Sequence, residues 1–108
     1  MSYLYKMLRQ ERIADEVFSE RDRQDEKFRP QWEIPLVARE ADRWEYQTRA
    51  DFYKSINGDT ATDFAGMLLE EVYEALAESD PQKMRVELVQ VAAVVFKMIE
   101  KIDREAGR

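Results

Sequence analysis

Cysteine and histidine are both absent from this chain of 108 residues, and only three glycines and three prolines interrupt it. Without cysteine there is no disulfide framework and no thiolate nucleophile, which fits a reducing compartment. Without either residue, zinc and the softer metals lose their usual ligands. Long apolar runs are missing too. The opening MSYLYKMLRQER has no signal core, and no window reaches the length of a membrane span. The expectation is a cytoplasmic protein with no membrane partner. A basic excess is also lacking: 23 acidic residues against 17 basic ones leave a formal charge of −6. That balance argues against a nucleic-acid partner gripped through its phosphates.

What is present favours helices. Apolar residues make up 44% of the chain and charged residues 37%, with Glu, Ala, Leu, Arg and Lys prominent. The length predicts one domain spanning residues 1–108. From Ser2 to about Glu26, Leu4, Met7, Leu8, Ile13, Val17 and Phe18 recur at helical intervals, predicting an amphipathic first helix. Its end, Arg21 to Phe28, alternates in sign as a solvated face does. Prolines in Arg29–Pro35 interrupt helix, and Trp32 between them reads as an apolar ring folded back on the core, with base stacking as the lesser alternative. Leu36 to Ile56 restores helical character until Asn57-Gly58, a left-handed stop. Trp44 and Tyr46 in this segment join Trp32 as candidates for base recognition.

A third helix is expected from Thr62 or Asp63 as N-cap to about Glu78, and Asp80-Pro81 starts a fourth that meets no breaker before Gly107. Four helices with short links predict an all-α four-helix bundle. Between Leu88 and Ile99 only Gln90 and Lys97 are strongly polar. A helix so apolar needs more cover than a small bundle provides, so the fold is expected to be completed by oligomerisation.

On a helical wheel, Phe64, Leu68, Val72, Ala75 and Leu76 form the core face of the third helix. Glu71 projects within that face, Glu74 lies at its margin, and Glu70 and Glu78 fall farther out, as surface glutamates do. In the fourth helix Glu87 shares its side with Val91, Val94 and Met98, and Gln90 stands one turn on. An ionised carboxylate among apolar neighbours needs something positive to face it. One answer is a buried salt bridge from Lys83, Arg85 or Lys97. The other is magnesium, a hard cation that takes carboxylate and amide oxygens together with water and substrate phosphates. A carboxylate left uncoordinated could then orient or deprotonate an attacking water, and the reaction implied is hydrolysis of a phosphoanhydride.

LLEEVYEALAES (Leu68–Ser79), then DPQKM and RVELVQVAAVVFKMIEKID (Arg85–Asp103), resembles the MazG-like nucleoside triphosphate pyrophosphohydrolases of the all-α NTP pyrophosphatase superfamily. Their signature pairs EExxE on one helix with ExxD on the next. Glu70, Glu71 and Glu74 match the first part and Glu87 the start of the second, whereas Gln90 stands where the family usually has aspartate. RQDEKF (Arg23–Phe28) is similar to a segment that precedes the helical pair in some MazG-like proteins. The resemblance implies a four-helix fold of that type, as a homodimer or homotetramer. It also implies cleavage of an NTP or dNTP to the monophosphate and pyrophosphate. Magnesium, with manganese as the alternative, would be held by Glu70, Glu71, Glu74, Glu87 and Gln90, with Glu71 and Glu74 catalytic. Gln24, Asp25 and Lys27 would contact the substrate. Gln90 removes one negative charge from such a site, leaving a second ion weakly held or held only with substrate. The second reading is therefore a catalytically weakened nucleotide-binding protein that sequesters or senses its ligand.

Overall fold

Asp80 and Pro81 open a helix by the expected chemistry. The Asp80 carboxylate accepts from the Gln82 amide at 2.9 Å, and proline at the first helical position has no amide to leave unpaired. Asp63 does the same for the preceding helix, accepting from the Gly66 amide at 2.7 Å. In a computed structural model of the chain, residues 3–27, 32–59 and 63–108 are described. They form α1 (Tyr3–Lys27), α2 (Glu40–Asn57), α3 (Phe64–Ala77) and α4 (Pro81–Glu105), with no strand among them. The all-α expectation is met. None of these helices is long and apolar enough to cross a membrane.

The chain divides into two compact units, Pro35–Val95 in one, and Met1–Ile34 with Phe96–Arg108 in the other. In the first, α2 packs on α3. Tyr73 of α3 stacks on both Tyr46 and Tyr53 of α2, at centroid distances of 6.1 and 5.9 Å, and the Arg49 guanidinium lies 5.8 Å from the same ring. Such ring pairs add about 0.5–1.5 kcal/mol each beyond the area they bury. In the second unit, Asp103, 6% exposed, faces Arg12 at 3.5 Å and Arg108 at 3.7 Å. There α4 ends in a Schellman turn: Gly107, at φ 78°, and Arg108 donate to the Arg104 and Asp103 carbonyls.

Several boundaries and packing expectations are corrected. The second helix begins at Glu40 rather than Leu36, because Glu40 and Asp42 supply the acidic first turn that complements the helix dipole. The end of the third helix is as expected: it closes at Ala77 with Glu78 as its cap, whose carboxylate accepts from the Ser79 and Asp80 amides. Gly58 ends α2 at φ 55°, as a residue without Cβ readily can. Trp32 is not folded into a core: it is 78% exposed, in a short turn that offers its ring no covering face. Leu76, placed on the core face by the wheel, is also exposed, whereas Ala75 beside it is buried. The readings at Phe28–Gln31 and at Thr62 lie outside the described residues.

Candidate metal centre

The three glutamates of α3 converge although the wheel separates them. One carboxylate oxygen from each of Glu70, Glu71 and Glu74 lies within 4.8 Å of the others, and all three side chains are half-buried. The helix reaches this by using two faces at once. Gly66, Glu70 and Tyr73 recur at i, i+4 and i+7 and look toward α2; Glu71 and Glu74 at i and i+3 look toward α4. Glu70 and Glu71 are sequence neighbours on the border between the two.

Asn57 sets the first face. It is 6% exposed, and its amide nitrogen donates to the Gly66 carbonyl at 3.1 Å and to Glu70 Oε1 at 3.0 Å. A Cβ on residue 66 would lie 2.8 Å from Asn57 Oδ1, so the side chain fits only because residue 66 is glycine. Sequence reasoning read Asn57 as a helix terminator and missed this role. The signal that could have found it is the lone glycine one turn into α3, a residue that normally weakens a helix. Gly66→Ala is expected to displace Asn57 and destabilise the chain by about 1–2 kcal/mol, reversing the usual gain from replacing helical glycine. In urea melts, the double variant with Asn57→Ala should be no less stable than Asn57→Ala alone; additive losses would sink the coupling.

The second face meets α4 in an antiparallel register that sets Glu71 opposite Gln90 and Glu74 opposite Glu87. With its amide nitrogen turned toward the carboxylates, Gln90 donates to Glu71 Oε2 and Glu87 Oε2, each at 3.0 Å. Glu74 shares a hydrogen bond with Glu87. The structure thus brings together the five residues Glu70, Glu71, Glu74, Glu87 and Gln90.

Among the described residues no cation answers them. Among the described residues, none of Lys83, Arg85 and Lys97 pairs with the cluster, so the salt-bridge alternative is corrected. The reason is placement: Lys83, Arg85 and Lys97 are themselves exposed on α4, while Glu87 is half-buried. The electrostatic result is visible in both central carboxyls. Burial, then repulsion from Glu71, Glu87 and Glu70, pushes Glu74 up to about 7 from an ordinary 4.5. Burial raises Glu71 as well, followed by repulsion from Glu87 and Glu70.

Comparison of the chain with protein-family models, with curated proteins and with solved structures gives no match. The chemistry open to the cluster follows from its own donors. Four half-buried carboxylates and the exposed Gln90 amide, with no cation paired to them among the described residues, form a donor set suited to a hard dication. Glu74, raised to about 7, is partly protonated at neutral pH, and an incoming cation would expel that proton.

Gln24, Asp25 and Lys27 stand at the end of α1, in the unit that does not hold the cluster. Gln24 donates to Glu20 at 3.3 Å, and Asp25 lies 3.9 Å from Arg21 on the same helix. Lys27 is exposed in the last turn. Of the candidates for base recognition, Tyr46 is engaged in the tyrosine stack, and Trp44 is 72% exposed.

Proposed function

We propose that this chain is a magnesium-dependent nucleoside triphosphate pyrophosphohydrolase of the MazG-like, all-α NTP pyrophosphatase type, releasing a monophosphate and pyrophosphate. The observation that carries the reading is the convergence of Glu70, Glu71, Glu74 and Glu87 from two helices, with no cation paired to them among the described residues. Buried charge of one sign is costly unless something of the other sign binds. A divalent ion satisfies the carboxylates, and the phosphates of a nucleotide complete its coordination. Magnesium or manganese, when bound, supplies Lewis-acid stabilisation of phosphate charge and a more acidic water.

The side chains have distinct parts in this proposal. Glu71, Glu74 and Glu87 hold the ion. Glu70, oriented by Asn57, either joins them or positions a water. Glu71 and Glu74 are the catalytic pair of this proposal, and whichever carboxylate oxygen the ion leaves uncoordinated orients or deprotonates the attacking water. Gln90 offers its amide oxygen once the ion replaces the hydrogen bonds it now makes to Glu71 and Glu87. Gln24, Asp25 and Lys27 are proposed to meet the substrate. Function as a homodimer or homotetramer would cover Val86, Leu88 and Val89 of α4, all exposed in the single chain.

The second reading is a nucleotide-binding protein with weakened catalysis. Gln90 favours it, because the amide already closes Glu71 onto Glu87 without a metal. One experiment separates the two. Purified protein incubated with a panel of NTPs and dNTPs plus magnesium is expected to release pyrophosphate. Nucleotide binding by calorimetry with no release would establish the second reading, and neither binding nor release by folded protein would remove both.

A further inference from the structure

The N-terminal half of α1 and the C-terminal end of α4 enclose a half-open cavity of about 630 Å³. Its lining includes Tyr3, Lys6 and Arg9 from α1 and Lys97, Glu100 and Arg104 from α4. Four cations therefore face one carboxylate, in a chain where 23 acids outnumber 17 bases. The one carboxylate is already engaged, since Glu100 lies 3.9 Å from Arg9. Arg9 is structural as well: its side chain is 9% exposed, and it donates to the Arg108 carbonyl at 2.9 Å.

Lys6, Lys97 and Arg104 differ from Arg9. Their side chains make no hydrogen bond or ion pair with any described residue. Neutralising the dipole at the end of α4 accounts for Arg104, in its last turn, but not for Lys97 two turns earlier or Lys6 on another helix. The first turn of α1 holds no acidic residue to offset them. Three like charges around one cavity repel, and an anion of several charges relieves that repulsion. The cavity volume lies within the range of small-molecule sites, and the Tyr3 ring on its wall can pack on an apolar or aromatic moiety.

We propose that this cleft binds a phosphorylated small molecule of nucleotide size directly, without a metal ion. The recognition is by phosphate: Arg104 presents a fork of donors and the two lysines present point charges. The site does not depend on the carboxylate centre, which can hold phosphate only through a cation.

Titration calorimetry of the full chain with ATP in excess EDTA tests it, because chelation removes any metal-mediated binding. Wild type is expected to bind, and Lys6→Ala, Lys97→Ala and Arg104→Ala each to weaken binding about tenfold. These side chains are exposed and pair with no described residue, so thermal melts should coincide with wild type. Glu71→Gln should bind as wild type, which separates the cleft from the reading of the carboxylate centre. No binding of ATP in EDTA, or binding unchanged in the triple alanine variant, would overturn the proposal. So would association solely with phosphatidylcholine vesicles containing phosphatidic acid, since the phosphate recognised would then belong to a lipid surface.

Discussion

Glu71→Gln is expected to cut magnesium-dependent pyrophosphate release by about two to three orders of magnitude, the size of effect seen when one preorganised charge-stabilising group is lost. The metal-free variant should melt at the same temperature as wild type or higher. Both outcomes have one cause. Glu71 sits among Glu70, Glu74 and Glu87, and its carboxyl is raised by burial and by that company. Glutamine keeps the shape and removes the charge. Without metal, the change relieves repulsion; with metal, on the proposed reading, it would delete a ligand at the middle of the cluster. A ligand and a structural salt-bridge partner are thereby distinguished, since losing half of a buried ion pair destabilises by about 3–5 kcal/mol. Pyrophosphate release by the variant at the wild-type rate would move the reaction away from this cluster.

The second expectation concerns pH, and its sign is opposite to that of most carboxylates. Glu74 titrates near 7 in the folded chain against an ordinary 4.5. Between those values the folded state keeps a proton that the unfolded chain has released, so stability falls as pH rises through the window and levels off above it. Below about 4.5 both states are protonated and the penalty disappears. Solvent reaches this half-buried group, so the loss is on the order of 1–2 kcal/mol, less than the full shift would give. Other carboxylates titrate nearby in pH, and the clean measure is the difference between wild type and Glu74→Gln. In urea melts that difference should grow from about pH 5 to about pH 7 in favour of the variant.

On the proposed reading, magnesium would act on the same proton. An ion held by Glu74 expels it, so affinity should rise across that window, and binding at about pH 6 should release close to one proton. Calorimetric heats in buffers of different ionisation enthalpy read this directly. Equal heats in all buffers would show that Glu74 does not hold the ion.

How much of the centre could be read in the sequence varies residue by residue. Glu71 and Glu87 stood out because each is a charge inside an apolar stripe, a pattern internal to one helix. Glu74 followed from its i+3 spacing. Glu70 fell on the outer side of the wheel, yet Asn57 draws it into the cluster from α2. A wheel reports a helix's own periodicity and cannot tell that two neighbours, α2 and α4, lie against different faces of α3. Gln90 was legible as a neutral side chain near Glu87; its bridge to Glu71 depends on the register between α3 and α4.

Local chemistry therefore determined the helices and their ends. Asp63 and Asp80 cap because their side chains reach amides two or three residues on, and Gly58 and Gly107 stop helices because they accept positive φ. These are interactions within a few residues, and the sequence alone specifies them. Which carboxylates meet, that among the described residues no cation meets them, and that Lys6, Lys97 and Arg104, paired with no described residue, gather at the cleft between α1 and the end of α4 depend on contacts between distant segments. Only the packing of one helix on another decided those, because burial and repulsion are set by neighbours that no local spacing names.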